Sequence, residues 1–177
     1  MDSVIKNKNK NNILYITQIE KLTHNLVINS QRKWEIEFQN INWKLAYTSP
    51  IKCTIDTKLR YFQYKYLMKI LPCNKFLLKC KIVNSSLCDF CNMNEETVKH
   101  LFWECPVSRN FWNRLELFLH NKGFSIDLNF DIITFYSTKY QIFNFIILLA
   151  KYFIFSNKYK KNIPDLGRYS TYIKEKK

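Results

Sequence analysis

Three of the chain's 6 cysteines and one of its 3 histidines stand in one short stretch, CDFCNMNEETVKHLFWEC, residues 88–105. Thiolate and imidazole are the donors a tetrahedral zinc ion takes, with sulfur about 2.3 Å from the metal. A C-x2-C pair is the shortest loop whose two sulfurs both reach one ion. The spacing Cys88-x2-Cys91-x8-His100-x4-Cys105 offers four ligands from one stretch of chain and predicts one structural Zn2+. Four protein ligands leave no position for water, which argues against a catalytic metal. Zinc deaminases need H-x-E ahead of P-C-x-x-C, and here the C-x-x-C comes first. The competing reading, small buried thiols as in many reduced proteins, does not explain why four donors close one loop. Glu104 reads as a solvated carboxylate or one supporting a ligand, not as a general base. Cys53, Cys73 and Cys80 have no such companions and read as core thiols, although Cys80 is near enough in sequence to substitute as a ligand.

These donors need elements to position them. ETVKHLF can run as a helical turn presenting His100, and Pro106 biases Cys105 out of a helix so that its thiolate swings back. Downstream, PVSRNFWNRLELFLHNKG places Pro106 at a helix N1 position and Gly123 just past the end. Val107, Phe111, Leu115, Phe118 and Leu119 would be its buried stripe. Upstream, DTKLRYFQYKYLMKIL predicts a helix from an Asp56 or Thr54 N-cap to a stop at Pro72. Leu59, Phe62, Tyr66, Leu67 and Ile70 share one face of it, with Lys58, Lys65 and Lys69 in a stripe beside them. Gln63 falls inside the apolar face and must find partners, expected from the backbone of a neighbouring loop. A last long helix, apolar and then basic, is predicted from about Tyr140 to Lys161.

Near the start, Ile13, Ile16, Ile19, Leu22 and Leu26 recur at helical spacing. The stretch after residue 33 is ambiguous: Trp34, Ile36 and Phe38 alternate as in a strand, whereas Trp43 to Tyr47 suits a helix closed by Pro50. The fold class is therefore mostly α, a small helical domain organised around one CCHC zinc site, with at most a short β-hairpin at the C-x2-C turn. Residues 1–12 are expected to be a basic disordered arm, 13–163 the helical zinc-binding domain, and 164–177 a basic C-terminal tail.

Composition points to the partner. Hydrophobic content of 47% is too high for a disordered chain, yet 28 Lys+Arg against 14 Asp+Glu leave a net charge of +14. Such a surplus is usually matched by a polyanion, nucleic acid first. Two glycines are too few for a phosphate-cradling loop or a dinucleotide fold. The most apolar window, IFNFIILLA at 142–150, stops at Lys151, well short of the roughly 18 residues a bilayer span needs, so no membrane is expected. The opening MDSVIKNKNKNN has no signal-peptide core, so the expected setting is intracellular, nuclear and/or cytoplasmic, with reduced cysteines. The candidate nucleic-acid surface joins Lys58, Tyr61, Lys65 and Lys69 to Lys151, Lys158, Lys160 and Lys161 of the last helix. Lysines there would track phosphate while aromatic rings stack on bases, for RNA or DNA and with little sequence preference.

Taken in order, the KLRYFQYKYL helix, the SSLCDFC entry, the Glu-Thr before HLFWEC and Trp112 resemble the zinc-binding region C-terminal to the reverse transcriptase of LINE-type, non-LTR retrotransposons. The similarity runs from about Trp34 to AKYFIFSNKYKKNIPDL. The resemblance implies a module, held by a CCHC zinc site, that helps a retroelement protein engage template RNA or target DNA. No Tyr/Phe-x-Asp-Asp motif occurs, so no polymerase or other enzyme activity is expected of this chain, a fragment or derivative of such a protein. Two alternatives compete. One is a helical interaction module docking on the rest of a reverse-transcriptase protein, through a patch of Tyr61, Tyr64 and Met68. The other is a restriction-like nuclease remnant built on Asp165, Glu175 and Lys177.

Overall fold

The structure, a computed structural model, describes residues 21, 24, 27, 29–136 and 140–175. The expected 1–12 arm, and most of the helix expected from Ile13, lie outside the described residues. The chain divides into two units, 1–40 and 41–177. In the first, residues 29–35 are helical. The Trp34 carbonyl receives the N–H groups of Glu37 and Phe38 as that helix closes, and the Trp34 and Phe38 rings lie 6.1 Å apart. The alternation of Trp34, Ile36 and Phe38 thus belongs to a helix end, not a strand.

The second unit is helical. α1 (Trp43–Cys53) starts at Asn42, whose side chain accepts the Leu45 N–H at 2.9 Å. Pro50 lies inside α1 instead of closing it. It stands in the last turn, where a missing N–H costs a single ladder bond. α2 (Thr57–Leu67) is capped by Asp56, which accepts the N–H groups of Lys58 and Leu59. It ends at Leu67, short of Pro72, because the chain turns through Lys69 at φ +54°. α3 (Asn74–Lys79) follows, then the metal-ligand loop, then α4 (Pro106–Asn121), with Pro106 at its start and Gly123 at φ +84° beyond its end. Phe111, Trp112, Leu115 and Leu119 form the buried stripe of α4, whereas Phe118 is exposed. α5 (Phe130–Phe135) leads to α6 (Gln141–Tyr159) and α7 (Leu166–Lys174).

α6 is apolar on nearly every side, and a helix of that kind must be central. It packs against α1, α2 and α7, while α4 packs against α7. α7 replaces the expected basic tail. Its Tyr169 is fully buried against Phe111 and Phe153, and its hydroxyl donates to the Ile146 carbonyl at 2.6 Å. No strand occurs among the described residues; the hairpin at the C-x2-C turn reduces to one antiparallel bridge, Leu87 to Glu95.

Candidate metal centre

Local turns bring the four donors together. The Leu87–Glu95 bridge and the Cys88 N–H bond to the Asn94 carbonyl, 2.9 Å, close the C-x2-C turn. Asn92 donates its N–H to the Cys88 carbonyl at 2.8 Å and sits at φ +54°, a left-handed conformation that Asn tolerates better than most residues. Backbone N–H groups of Phe90 and Cys91 are aimed at the Cys88 sulfur.

His100 and Cys105 come from a π-helical turn, His100–Glu104, closed by the Cys105 N–H on the His100 carbonyl at 2.8 Å. In an α-helix two residues five apart point about 140° from one another. The wider turn brings both side chains to one side. Its cost is met locally. Pro106 has no N–H for the Leu101 carbonyl, and Ser108 Oγ donates there instead at 2.6 Å. Trp112 Nε1 donates to the Phe102 carbonyl at 2.7 Å. Cys105 leaves the helix at ψ 127°, as the following proline requires.

The donor atoms of Cys88, Cys91, His100 and Cys105 all lie within 4.8 Å of one another. Cys88 Sγ and Cys105 Sγ are 3.8 Å apart, and Cys91 Sγ is 3.3 Å from His100 Nε2. A tetrahedron with arms of about 2.3 Å has edges of about 3.8 Å, so the cluster has the size of one metal coordination sphere. The Cys88 thiol donates to Cys105, and that bond, with N–H groups of Val107 and Ser108, holds Cys105 below the ordinary thiol range. The same bond, with burial, pushes Cys88 up, so the pair shares a proton that a metal would displace. Burial lowers the His100 pKa and favours the neutral imidazole that ligates. Glu104 points outward to Lys99 at 3.4 Å. Cys80 is exposed and outside the cluster, and burial pushes the Cys73 thiol up, as befits a core thiol.

A network that the sequence reading missed supports this loop. Glu96 is 0% exposed; its Oε1 accepts the Asn74 N–H at 2.9 Å and its Oε2 the Asp89 N–H at 3.1 Å. Lys158, 3% exposed, reaches Glu96 at 3.1 Å, Asp89 at 3.0 Å and Asn74 Oδ1 at 2.9 Å. Burial works to lower the Lys158 pKa, but Glu96 and Asp89 more than offset it and keep the ammonium charged. Lys158 is thus a strut between α6 and the ligand loop, not a surface cation. Lys151 is likewise interior, 0% exposed, donating to Gln63 Oε1 at 2.6 Å with the Tyr136 ring 4.3 Å away. Gln63 in turn donates to the Thr134 carbonyl of α5, a helix where a loop was expected. One signal was available: Asn144, Lys151 and Lys158 are seven apart, in register with Ile147 and Ile154.

The other expected cations divide. Lys58 and Tyr61 are exposed on α2, Lys65 is half-buried beside them, and Lys160 and Lys161 are exposed beyond the end of α6. Lys69 has left the helix, so the stripe narrows to Lys58 and Lys65. Met68 is buried, which removes it from the expected docking patch. Asp165 caps α7 and pairs with Arg114 at 3.2 Å, whereas Glu175 caps the other end of α7, roughly 15 Å away by helix rise. They form no carboxylate pair, and Lys177 lies outside the described residues. Among the described residues a second trio, Glu116, His120 and Asp127, also lies close together. It is spent on the turn after α4: His120 Nε2 bonds the Ile126 carbonyl and Glu116 accepts the Leu128 N–H.

Residues 29–112, just under half of the chain, match a family model described as zinc-binding in reverse transcriptase. All four donors fall inside the matched segment. No curated protein and no solved structure matches the chain. No helix among the described residues is long and apolar enough to cross a membrane.

Proposed function

We propose that this chain is a nucleic-acid-binding module of a LINE-type retroelement protein, held by one structural Zn2+ on Cys88, Cys91, His100 and Cys105. It carries no polymerase or other reaction of its own. The observation that carries the reading is a complete Cys3His set of coordination-sphere size inside the segment that matches the family model described as zinc-binding in reverse transcriptase. The soft donor set suits zinc, and four protein donors leave no open position for water. The net charge of +14 supports a polyanionic partner, RNA or DNA, bound through phosphates. Other parts of a reverse-transcriptase protein are the expected protein partner, inside the cell. Purified chain should hold one zinc by elemental analysis and bind labelled oligonucleotides with an affinity that falls steeply with salt. Metal-free folded protein, or no binding at low salt, overturns the reading.

A second reading, a docking module for the rest of that protein, draws on the apolar groove between α1 and α2, about 490 Å3, lined by Tyr47, Pro50, Ile51, Tyr61 and Tyr64. A complex with a reverse-transcriptase fragment that forms without nucleic acid, from a chain that itself binds none, would favour it.

A further inference from the structure

Between α2 and α6 runs a separate groove of about 260 Å3, with Lys58, Tyr61 and Lys65 on one side and Tyr152, Phe155 and Tyr159 on the other. We infer that this groove takes an unpaired base, so that the module prefers single-stranded nucleic acid to duplex. The inference rests on the nucleic-acid reading above and names the site and the strand state.

Lys58, Tyr61 and Lys65 are three and four residues apart and share one face of α2. Tyr61 and Tyr159 remain 58% and 54% exposed, although each is a large ring beside an apolar floor. That floor is packed ring on ring: Phe62 meets Phe155 at 5.3 Å and Tyr152, at a right angle, at 5.4 Å. Tyr159 is held in place, its hydroxyl donating to the Pro72 carbonyl at 3.3 Å and its ring set edge-on against Phe155 at 5.0 Å. Across from it, the Lys65 ammonium lies 4.3 Å over the Tyr61 ring. Rings fixed before binding stack on a base at little further entropy cost.

Charge and size select the ligand. Two lysines, roughly 10 Å apart at the backbone along α2, flank the groove, and no carboxylate is among its lining residues. Asp89, whose charge bears on Tyr159, is already paired with Lys158 at 3.0 Å. An acidic peptide would meet the lysines but not use the rings; a nucleotide uses both. The volume lies below the roughly 300–1,000 Å3 of ordinary small-ligand sites, room for one flat ring and not for a duplex. In a duplex the faces of each base are covered by its neighbours, so only an unpaired base presents a face to these tyrosines.

The test uses the zinc-loaded full chain and fluorescence anisotropy with a labelled 12-nucleotide single strand and a duplex of the same length. The single strand should bind more tightly at equal salt. Tyr61→Leu with Tyr159→Leu should weaken single-strand binding roughly 5- to 150-fold per stacked base, leave duplex binding within two-fold, and keep the salt slope. Tyr159→Phe keeps the ring and loses only its bond to the Pro72 carbonyl, so it should retain most of the single-strand binding that Tyr159→Leu loses. If the double variant loses its zinc or its helical circular dichroism, Tyr61→Leu alone, at an exposed position, carries the test. Single-strand binding that survives loss of the rings, or equal loss on duplex, overturns this inference while the nucleic-acid reading stands. A chain that binds neither strand state overturns both.

Discussion

Replacing Lys158 by Met separates a structural role for this lysine from the phosphate-contacting role its position in the sequence suggests. All three ammonium protons are spent, on Glu96, Asp89 and Asn74, at 2.9–3.1 Å. Methionine fills similar space but leaves the Glu96 carboxylate, 0% exposed, with two backbone N–H partners and no countercharge. Breaking a buried pair from one side costs about 3–5 kcal/mol, a large part of the roughly 5–15 kcal/mol that holds a domain together. At roughly 2–4 °C per kcal/mol for a chain of this size, the melting midpoint should fall by about 6–20 °C. Glu96→Gln alone keeps the Asn74 bond and leaves Lys158 with Asp89, so its cost should be nearer 1–3 kcal/mol. The double variant should be less destabilised than the sum of the two singles. Because Asp89 lies between Cys88 and Cys91, zinc affinity should also drop about 10- to 100-fold. Urea unfolding of zinc-saturated protein, followed by tryptophan fluorescence, measures the first effect, and competition with a chromophoric chelator the second. A Lys158→Met protein within 1 kcal/mol of wild type, with a salt slope reduced by about one, would refute the strut and restore Lys158 to the binding surface.

Three further outcomes are expected. Cys91→Ser should release the metal and unfold the 88–105 loop, since zinc binding of roughly 10–16 kcal/mol exceeds what so small a loop recovers by packing; a variant still holding one zinc per chain by elemental analysis counts against the site. Changing Lys58 and Lys65, the two lysines left in the stripe, together to Gln should flatten the slope of log affinity against log salt on duplex DNA by up to about 2, and an unchanged slope would make that surface a solvated face. Burial holds the Lys151 amine well below the usual lysine range, so between its folded value and the unfolded value of about 10.4 the unfolded chain binds the extra proton. Wild type should therefore lose stability relative to Lys151→Met as pH falls from 10 to 7, and parallel urea midpoints at both pH values would contradict this.

The metal cluster was legible because its information is local. Four donor types at short spacings in one loop define a coordination sphere almost without tertiary help, and Pro106 declared where Cys105 had to leave the helix. The π turn was not legible. It depends on Pro106 withholding an N–H while Ser108 and Trp112 cover the carbonyls left behind, an agreement between side chains that no periodicity reports. Helix ends shifted for a similar reason. The stop of α2 lies at the left-handed turn of Lys69 and not at Pro72, and Pro50 lies inside α1, three residues before its end, at the cost of a ladder bond.

Charge was the least legible quantity, since a count of lysines does not say where they sit. α6 ends in a basic stretch, and a basic stretch ordinarily marks a solvated face. Yet the apolar run before it forces α6 into the centre, and the seven-residue spacing then carries Lys151 and Lys158 inward with Ile147 and Ile154. Each interior lysine has to find a different answer to burial. Lys151, beside the neutral amide of Gln63, has its pKa driven down, whereas Lys158 keeps its charge by drawing Glu96 and Asp89 to it. Asp89 lies within the C-x2-C turn, and Glu96 accepts that turn's Asp89 N–H. Lys158, one of the expected phosphate contacts, therefore ties the central helix to the metal loop. The proposed nucleic-acid surface on α2 and α6 is therefore narrower, the Lys58, Tyr61 and Lys65 face with Tyr159 opposite and Lys160 and Lys161 beyond, where rings and charges stand together.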